Sequence, residues 1–391
     1  MKSILKFDLH QKRFRVVANE RGMSNELTTF EYGAKDDLVL GSYHGGPILM
    51  GQIIGMACND DTLDLRIDEA RQSARHVVRV LVATLGPRDV FLFHPCGGAM
   101  TSRPMIALAT CRRLADLNAD DRLLAAQLEQ AGFATKPIVW DDSEQTLDNV
   151  VAVIVRSCWD YQFRPKQFLS WAEGITSSGV QLFNPVATLR WNHDKRYLRE
   201  LASLAVPVPE TAWFEPGTSA VLEQVMEDYG WKKSVLKPAV SATAWNTFLV
   251  TQASAASLRT KFDEMLASGA VMMQRFIENI TTSGEWSFIF FGDQFSHAIL
   301  KRPQGGDFRV QTEFGGTIER NITPPPVLIE EARTILNNVS VQWLYARVDA
   351  VDVAGHLCLI EIELIEPALF LHSSRTAAKF ACAIASAVVQ S

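Results

Sequence analysis

The chain has 391 residues, 47% of them hydrophobic and 21% charged, with 38 Lys+Arg against 44 Asp+Glu for a net charge of -6. That length allows two or three packed domains, and the charge balance supplies no basic field for nucleic acid, so any anion site has to be local. No window approaches the roughly 18 uninterrupted apolar residues of a membrane span, and no apolar segment follows the charged start, which predicts a cytoplasmic protein without a membrane partner.

Residues 1–70 read as an antiparallel β meander, with strands expected at 13–18, 27–32, 38–43, 47–56 and 62–67 between turn signals such as Gly45-Gly46 and Asn59-Asp60-Asp61. Residues 71–104 read as a helix, running from about 68 to 85, followed by a Pro- and Gly-containing linker at 95–104. From Met105 the grammar changes to strand, helix, strand, helix. Apolar runs at 105–111, 137–140, 150–156 and 180–183 alternate with helical stretches at 120–132 and 168–177, which predicts a mostly parallel sheet over 105–190. Residues 191–391 read as a mixed α+β region. The six cysteines form no C-x-x-C pair and read as reduced core residues.

The densest chemistry lies near the C-terminus. Strands at 348–353 and 357–364 meet at Gly355-His356, and strand alternation points Glu361 and Glu363 the same way. A hairpin folded there sets Asp349 opposite Glu361. Three carboxylates converging among apolar residues are costly without a cation, and hard oxygen ligands favour magnesium or manganese bridging to phosphate. The alternative is one solvated strand face.

A second segment, Lys301-Arg302-Pro303-Gln304-Gly305-Gly306-Asp307-Phe308-Arg309 through Gly315-Gly316, combines cations with glycines that let an anion approach. Arg309, expected on a strand, suits phosphate through its planar fork; a surface hairpin is the competing reading. Lys195 precedes a helix through 197–204 for which Asn192 or Asp194 could serve as cap. Lys237 ends a strand, where an ammonium and following backbone N–H groups can meet phosphates. Arg156, Ser157, Trp159, Asp160 and Tyr161 follow the strand at 150–155, at the carboxyl end where open α/β sheets bind ligands. They could grip a small zwitterion, or equally be core aromatics beside an Arg156–Asp160 pair. No P-loop, dinucleotide fingerprint, H-E-x-x-H or G-x-S-x-G motif occurs.

The order of Lys195, Lys237, Gln274-Arg275-Phe276, Arg309 and then Asp349 with Glu361-x-Glu363 resembles the ATP-grasp superfamily, in its glutathione-synthetase-like branch that includes a cyclo-ligase of cycloserine biosynthesis. The resemblance runs from about Met105 to the C-terminus. It implies a parallel α/β pre-ATP-grasp domain that binds substrate (105–190) and an ATP-grasp domain of two α+β lobes (191–391), preceded by an extra small antiparallel β domain (1–70).

The implied site has Lys195 and Lys237 on the α- and β-phosphates, Gln274 near adenine, Glu285 on the ribose, and Lys301 among the nucleotide contacts. Arg309 stabilises phosphoryl transfer, and Asp349, Glu361 and Glu363 hold two magnesium ions, manganese being an alternative. Glu366 and Asp160 are candidates for holding a substrate amine. The implied activity is ATP-dependent carboxylate–amine ligation of an amino-acid-like substrate through an acyl-phosphate, with intramolecular cyclisation as one form. A catalytically weak ATP sensor using the β domain as an interaction module is the alternative, and a kinase that stops at phosphoryl transfer is a third reading. The sequence is compatible with a homo-oligomer and leaves the oligomeric state open. One departure is that residues 239–247, after Lys237, contain no glycine, although wider relatives often have glycines there.

Overall fold

A computed structural model describes residues 103–390 apart from Thr243, Gly306 and Asn321, together with five strands in the preceding region. Those strands are β1 (Lys2–Asp8), β2 (Arg13–Asn19), β3 (Leu65–Asp68), β4 (Val77–Thr84) and β5 (Asp89–Cys96). They pair antiparallel in the order β2-β1-β3, with β4-β5 as a separate hairpin. Strands expected at 13–18 and 62–67 overlap β2 and β3, while those at 27–32, 38–43 and 47–56 lie outside the described residues. The helix expected over 68–85 is overturned, since Val77–Thr84 pairs as a strand with Asp89–Cys96. Its sequence Val-Val-Arg-Val-Leu-Val is rich in β-branched residues, which fit a pleated surface better than a helix.

The next unit is a parallel sheet. Strands β6 (Met105–Thr110), β7 (Ala134–Val139), β8 (Val150–Ser157) and β9 (Gln181–Phe183) lie in the order β7-β6-β8-β9, all parallel. Helices Ala119–Gln130 and Pro165–Ser177 make the crossovers. Asn118 caps the first by accepting from Asp121 N, with Asp120 and Asp121 favourably placed in its first turn. A proline starts the second, where its missing N–H costs nothing.

Two antiparallel sheets follow. The smaller has β10 (Thr211–Phe214), β11 (Lys233–Pro238), β12 (Phe248–Thr251) and β13 (Val271–Arg275) in the order β10-β13-β11-β12. The larger has β14 (Glu285–Phe291), β15 (Gln294–Arg302), β16 (Thr317–Glu319), β17 (Tyr345–Val353) and β18 (His356–Glu363) in the order β16-β15-β14-β17-β18. The turn between β17 and β18 falls at Ala354 and Gly355, both at positive φ, and Asp352 Oδ1 accepts from Gly355 N at 2.7 Å.

Packing ties the large sheet to the parallel one. A single core combines Ile106 and Leu108 of β6, Ile289 and Phe291 of β14, Tyr345 of β17, and Phe380 of the helix Ser374–Gln390. Phe291 stacks on Phe380 with centroids 4.5 Å apart. Asn184, fully buried, works as a polar staple across this junction. Its Nδ2 donates to Tyr345 O (3.0 Å) and Leu364 O (2.7 Å), and its Oδ1 accepts from Leu344 N (2.6 Å). The small sheet keeps its own core of Ala212, Phe214, Leu222, Met226, Leu236, Phe262 and neighbours.

Candidate active site

A cavity of about 430 Å³ opens between the small sheet, the large sheet and the carboxyl end of the parallel sheet. Its floor is the β17–β18 pair. Asp349 stands in register with Glu361, and Arg347 with Glu363, so alternation sends all four side chains to one face. The predicted carboxylate trio therefore faces a single space.

Protein cations already offset much of this negative charge. Lys195 Nζ lies 3.0 Å from Glu361 Oε1 and donates to Ser241 O at 2.6 Å. Lys301 pairs with Glu285 and lies 3.4 Å from Asp349 Oδ1. Arg347 donates to both oxygens of Asp349, with Nη2–Oδ2 at 2.8 Å, and also pairs with Glu363. Ser287, in register with Asp349, donates its hydroxyl to that carboxylate.

Burial raises the cost of ionising these carboxyls, and the neighbouring cations decide how far each is shifted. Burial works against Asp349, yet Arg347 and Lys301 hold it down to about 2. Burial pushes Glu363 up to about 7 despite Arg347, and pushes Glu366 up to about 8 with help from the Glu363 charge. Lys237 is pulled down to about 8 by burial and by repulsion from Lys195. Among the described residues Lys237 has no carboxylate at ion-pair distance.

Most of the sequence-predicted residues line this cavity: Lys195, Lys237, Gln274, Glu285, Lys301, Arg309, Asp349, Glu361, Glu363, Glu366, Trp159 and Tyr161. Arg156, Ser157 and Asp160 do not. Arg156 is 2% exposed, donates to Asp121 Oδ1 at 2.9 Å and to Pro367 O at 3.1 Å, and lies over the Tyr345 and Phe380 rings. Ser157 donates to the same Asp121, and Asp160 accepts from the Trp140 indole at 2.7 Å. The strand end is thus split, with the aromatics facing the cavity and the Arg anchored beneath it. A buried Arg must find a carboxylate, and the helix that starts at Ala119 supplies Asp121.

Two further expectations are corrected. Arg309 lies on irregular chain instead of a strand, held by Asp307 (Nη2–Oδ2 2.7 Å) and stacked 3.6 Å over the Phe314 ring. Glu285 is tied through Lys301 to the Asp349 end of the cavity. Neither Asn192 nor Asp194 caps the helix Tyr197–Ser203. Asn192 instead bonds Ile362 O and Leu364 N, fastening that helix region to β18.

Sequence reasoning passed over Arg347 and Arg113. Arg347 sits two residues before Asp349 on the same strand face, a spacing that flags an internal counter-charge. Arg113 stands just past the carboxyl end of β6 as Arg156 stands at the carboxyl end of β8, so the strand-end rule that selected Arg156 also reaches it. Two glycines sit where the backbone of a neighbouring segment passes too close for a side chain. A Cβ at Gly316 would sit 2.2 Å from Val310 O, and one at Gly284 would sit 2.6 Å from Lys301 O.

No metal-type cluster of three or more Asp, Glu, His or Cys groups occurs among the described residues. Asp349, Glu361 and Glu363 nevertheless share one face of the cavity. Magnesium ordinarily keeps one or two protein carboxylates and fills its remaining sites with phosphate and water. The donor set fits that mode and does not form an all-protein cage.

A parallel α/β sheet joined to two antiparallel sheets, with lysines facing a carboxylate-bearing strand pair, is the ATP-grasp arrangement, and the chain has the ATP-grasp fold. It is an ATP-grasp ligase homologue. The cycloserine biosynthesis protein DcsG of Streptomyces lavendulae is 28% identical over 297 residues, covering 72% of this chain and 98% of that protein. The crystal structure of D-cycloserine synthetase DcsG matches with a TM-score of 0.66 at 26% identity, covering 73% of this chain and 99% of that one. A RimK domain protein ATP-grasp from Sphaerobacter thermophilus shares the fold, with a TM-score of 0.54 at 19% identity over 71% of this chain and 98% of that one. Residues 106–184 match the family model of the DcsG N-terminal domain, and residues 7–77 match that of avidin-like proteins.

Proposed function

We propose that this protein is a magnesium-dependent carboxylate–amine ligase that activates an amino-acid-like acid as an acyl-phosphate. The observation that carries the reading is the convergence of Lys195, Lys237, Arg309 and the three carboxylates on one cavity. The name of the cycloserine biosynthesis relative supports an amino-acid-like substrate, and intramolecular ring closure is one form of the reaction.

In this reading Asp349, Glu361 and Glu363 hold two magnesium ions against the ATP phosphates. Magnesium bound there neutralises phosphate charge. Lys237, buried and without a carboxylate partner among the described residues, contributes its ammonium to the phosphates. Lys195 holds the loop after β11 through Ser241 and meets the phosphates from the other side. Gln274, on β13, lies on the adenine side.

A substrate carboxylate oxygen attacks the γ-phosphorus, and the bond to the bridging oxygen breaks with its electron pair leaving on ADP. Arg309, at the mouth, spreads the charge of the transferring group. A nitrogen nucleophile then attacks the acyl carbon, phosphate departs, and the nitrogen loses a proton. In this reading Glu366, which lines the cavity and whose affinity for protons burial raises, accepts that proton. Residues 105–190 form the substrate domain in this reading and 191–391 the nucleotide domain, with residues 1–70 as a separate β module and 71–104 joining them.

The test is ADP and phosphate release with magnesium-ATP across amino acids and their ureido and hydroxy derivatives. Substrate-dependent release that an Asp349→Asn/Glu361→Gln double variant loses is the expected result. ATP binding without turnover on any substrate would remove the ligase reading in favour of a sensor.

A further inference from the structure

Beyond the main cavity lies an outer chamber of about 420 Å³ that shares Arg113, Trp159, Ala242, Ala244, Thr247 and Arg309 with it. The two are parts of one passage. Their linings differ sharply in charge: the inner space carries the carboxylates of the nucleotide end, whereas no acidic residue lines the outer one. Its two charged residues are Arg113 and Arg309.

Those arginines are not equivalent. Arg309 is held in a two-pronged pair by Asp307 and lies over Phe314. Arg113 has no carboxylate at ion-pair distance among the described residues, and its stem leaves the carboxyl end of β6 in the short turn Arg112–Leu114. Its neighbour Arg112 is engaged by Asp141 at 3.2 Å. The remaining walls are largely apolar and aromatic. Phe163, from the parallel-sheet domain, meets Trp245, from the loop after β11, edge to face at 5.8 Å over the opening. Both are exposed, at 58% and 42%, which is unusual for large apolar side chains that fill no core. Trp159 forms the shared wall, and its indole N–H is turned to Glu366 O at 3.1 Å.

Resting on the ligase reading, we propose that the outer chamber binds a non-reacting carboxylate of the substrate set, with Arg113 as its anchor and Phe163 and Trp245 closing over the apolar body. A guanidinium binds a carboxylate through two parallel hydrogen bonds, and a pocket without acidic residues offers that anion no repulsion. Glu366 lines the inner cavity alone, whereas Arg113 also lines the outer chamber. A molecule with an amine directed inward and a carboxylate directed outward matches that polarity. The carboxylate therefore belongs either to the nitrogen-bearing partner or, as a second acid group, to the activated partner. Arg113 is a specificity-determining residue in both cases.

The test uses the full chain with magnesium and a non-hydrolysable ATP analogue, following tryptophan fluorescence. It is titrated with alanine, with ethylamine, which lacks the carboxylate, and with glutarate, which carries two. Binding of alanine but not ethylamine assigns the anion to the nitrogen-bearing partner; binding of glutarate but not alanine assigns it to the acid. In either arm Arg113→Met weakens binding about tenfold or more and Arg113→Lys restores part of it. Binding that ignores the carboxylate, or that is equal in wild type and Arg113→Met, overturns the proposal. The ADP-release assay separates the two readings. Turnover whose substrate KM is untouched by Arg113→Met removes this inference alone, whereas Arg113-dependent binding without turnover removes the ligase reading alone.

Discussion

Lys195 Nζ stands 3.0 Å from Glu361 Oε1, whereas Lys237, just as deeply buried in the same cavity, faces no carboxylate at that range among the described residues. The two lysines therefore carry different costs in the empty protein. Replacing Lys237 with Met removes a desolvated charge, so the unliganded fold should hold its melting temperature or gain a few degrees. ATP affinity should fall about ten- to a hundredfold, because the phosphates lose a charge-assisted donor. Lys195→Met strands Glu361 and should lower both. Paired thermal melts with and without magnesium-ATP read the two effects separately, and a drop in the unliganded melting temperature of Lys237→Met would contradict this account.

Arg347 is the internal counter-charge of the carboxylate floor. Arg347→Met leaves Asp349 and Glu363 facing each other without it, a change of the kind that typically costs about 3–5 kcal/mol. Denaturant unfolding should show that loss. Magnesium should then recover more stability in the variant than in wild type, because it would occupy the vacated charge position. Equal magnesium stabilisation in both proteins would argue against a cation at these carboxylates.

Asn184 tests the junction between the sheets. Asn184→Ala removes bonds to Tyr345, Leu364 and Leu344 while leaving their backbone groups buried. A loss of about 2–4 kcal/mol is expected from the unsatisfied groups, checked by urea unfolding. Asn184→Asp should not rescue, since a carboxylate cannot donate to two carbonyls.

His297 supplies a pH dependence remote from the site. Its Nε2 bonds Leu369 O at 2.9 Å and its Nδ1 bonds Ser296 Oγ at 2.9 Å, an arrangement that suits the neutral ring. Burial pulls it down to about 4. The unfolded chain takes up this proton below about 6.5, while the folded one resists until about 4. Stability is therefore intact above pH 6.5 and falls as the pH drops from 6.5 towards 4, by an amount on the order of 2–3 kcal/mol. His297→Gln should flatten that part of the pH–stability curve, which melts from pH 4 to 8 would show.

Much of the site was legible because strand alternation is a strong rule. Glu361, Glu363 and Asp349 share a face whatever the tertiary detail, and the hairpin turn at Gly355 was marked in the sequence. Arg156 was not legible. Its place at a strand end looked functional, and only the helix starting at Ala119, which brings Asp121 beneath it, makes it structural. Ion-pair partners 35 residues apart leave no local signal. The same holds for Glu285, whose partner Lys301 is fixed by the β14–β15 register. The helix expected at 68–85 failed because the apolar run Val77–Thr84, broken only by Arg79, fits either period, and its β-branched residues favoured the strand.

The small sheet, residues 211–275, keeps almost all its apolar side chains to itself, and among its described residues only Met272 and the adjoining Trp213 enter the core of the large sheet. The parallel and large sheets, by contrast, share one interior. The molecule is therefore built as an anvil and a jaw. The anvil carries the carboxylates, and the jaw carries Lys237, Gln274 and the loop that bears Trp245. Because little apolar surface is shared across the gap, opening it exposes little core, and the work of closing falls to whatever fills it. On this view the nucleotide is both reagent and mortar, and spending it loosens the joint through which the product departs.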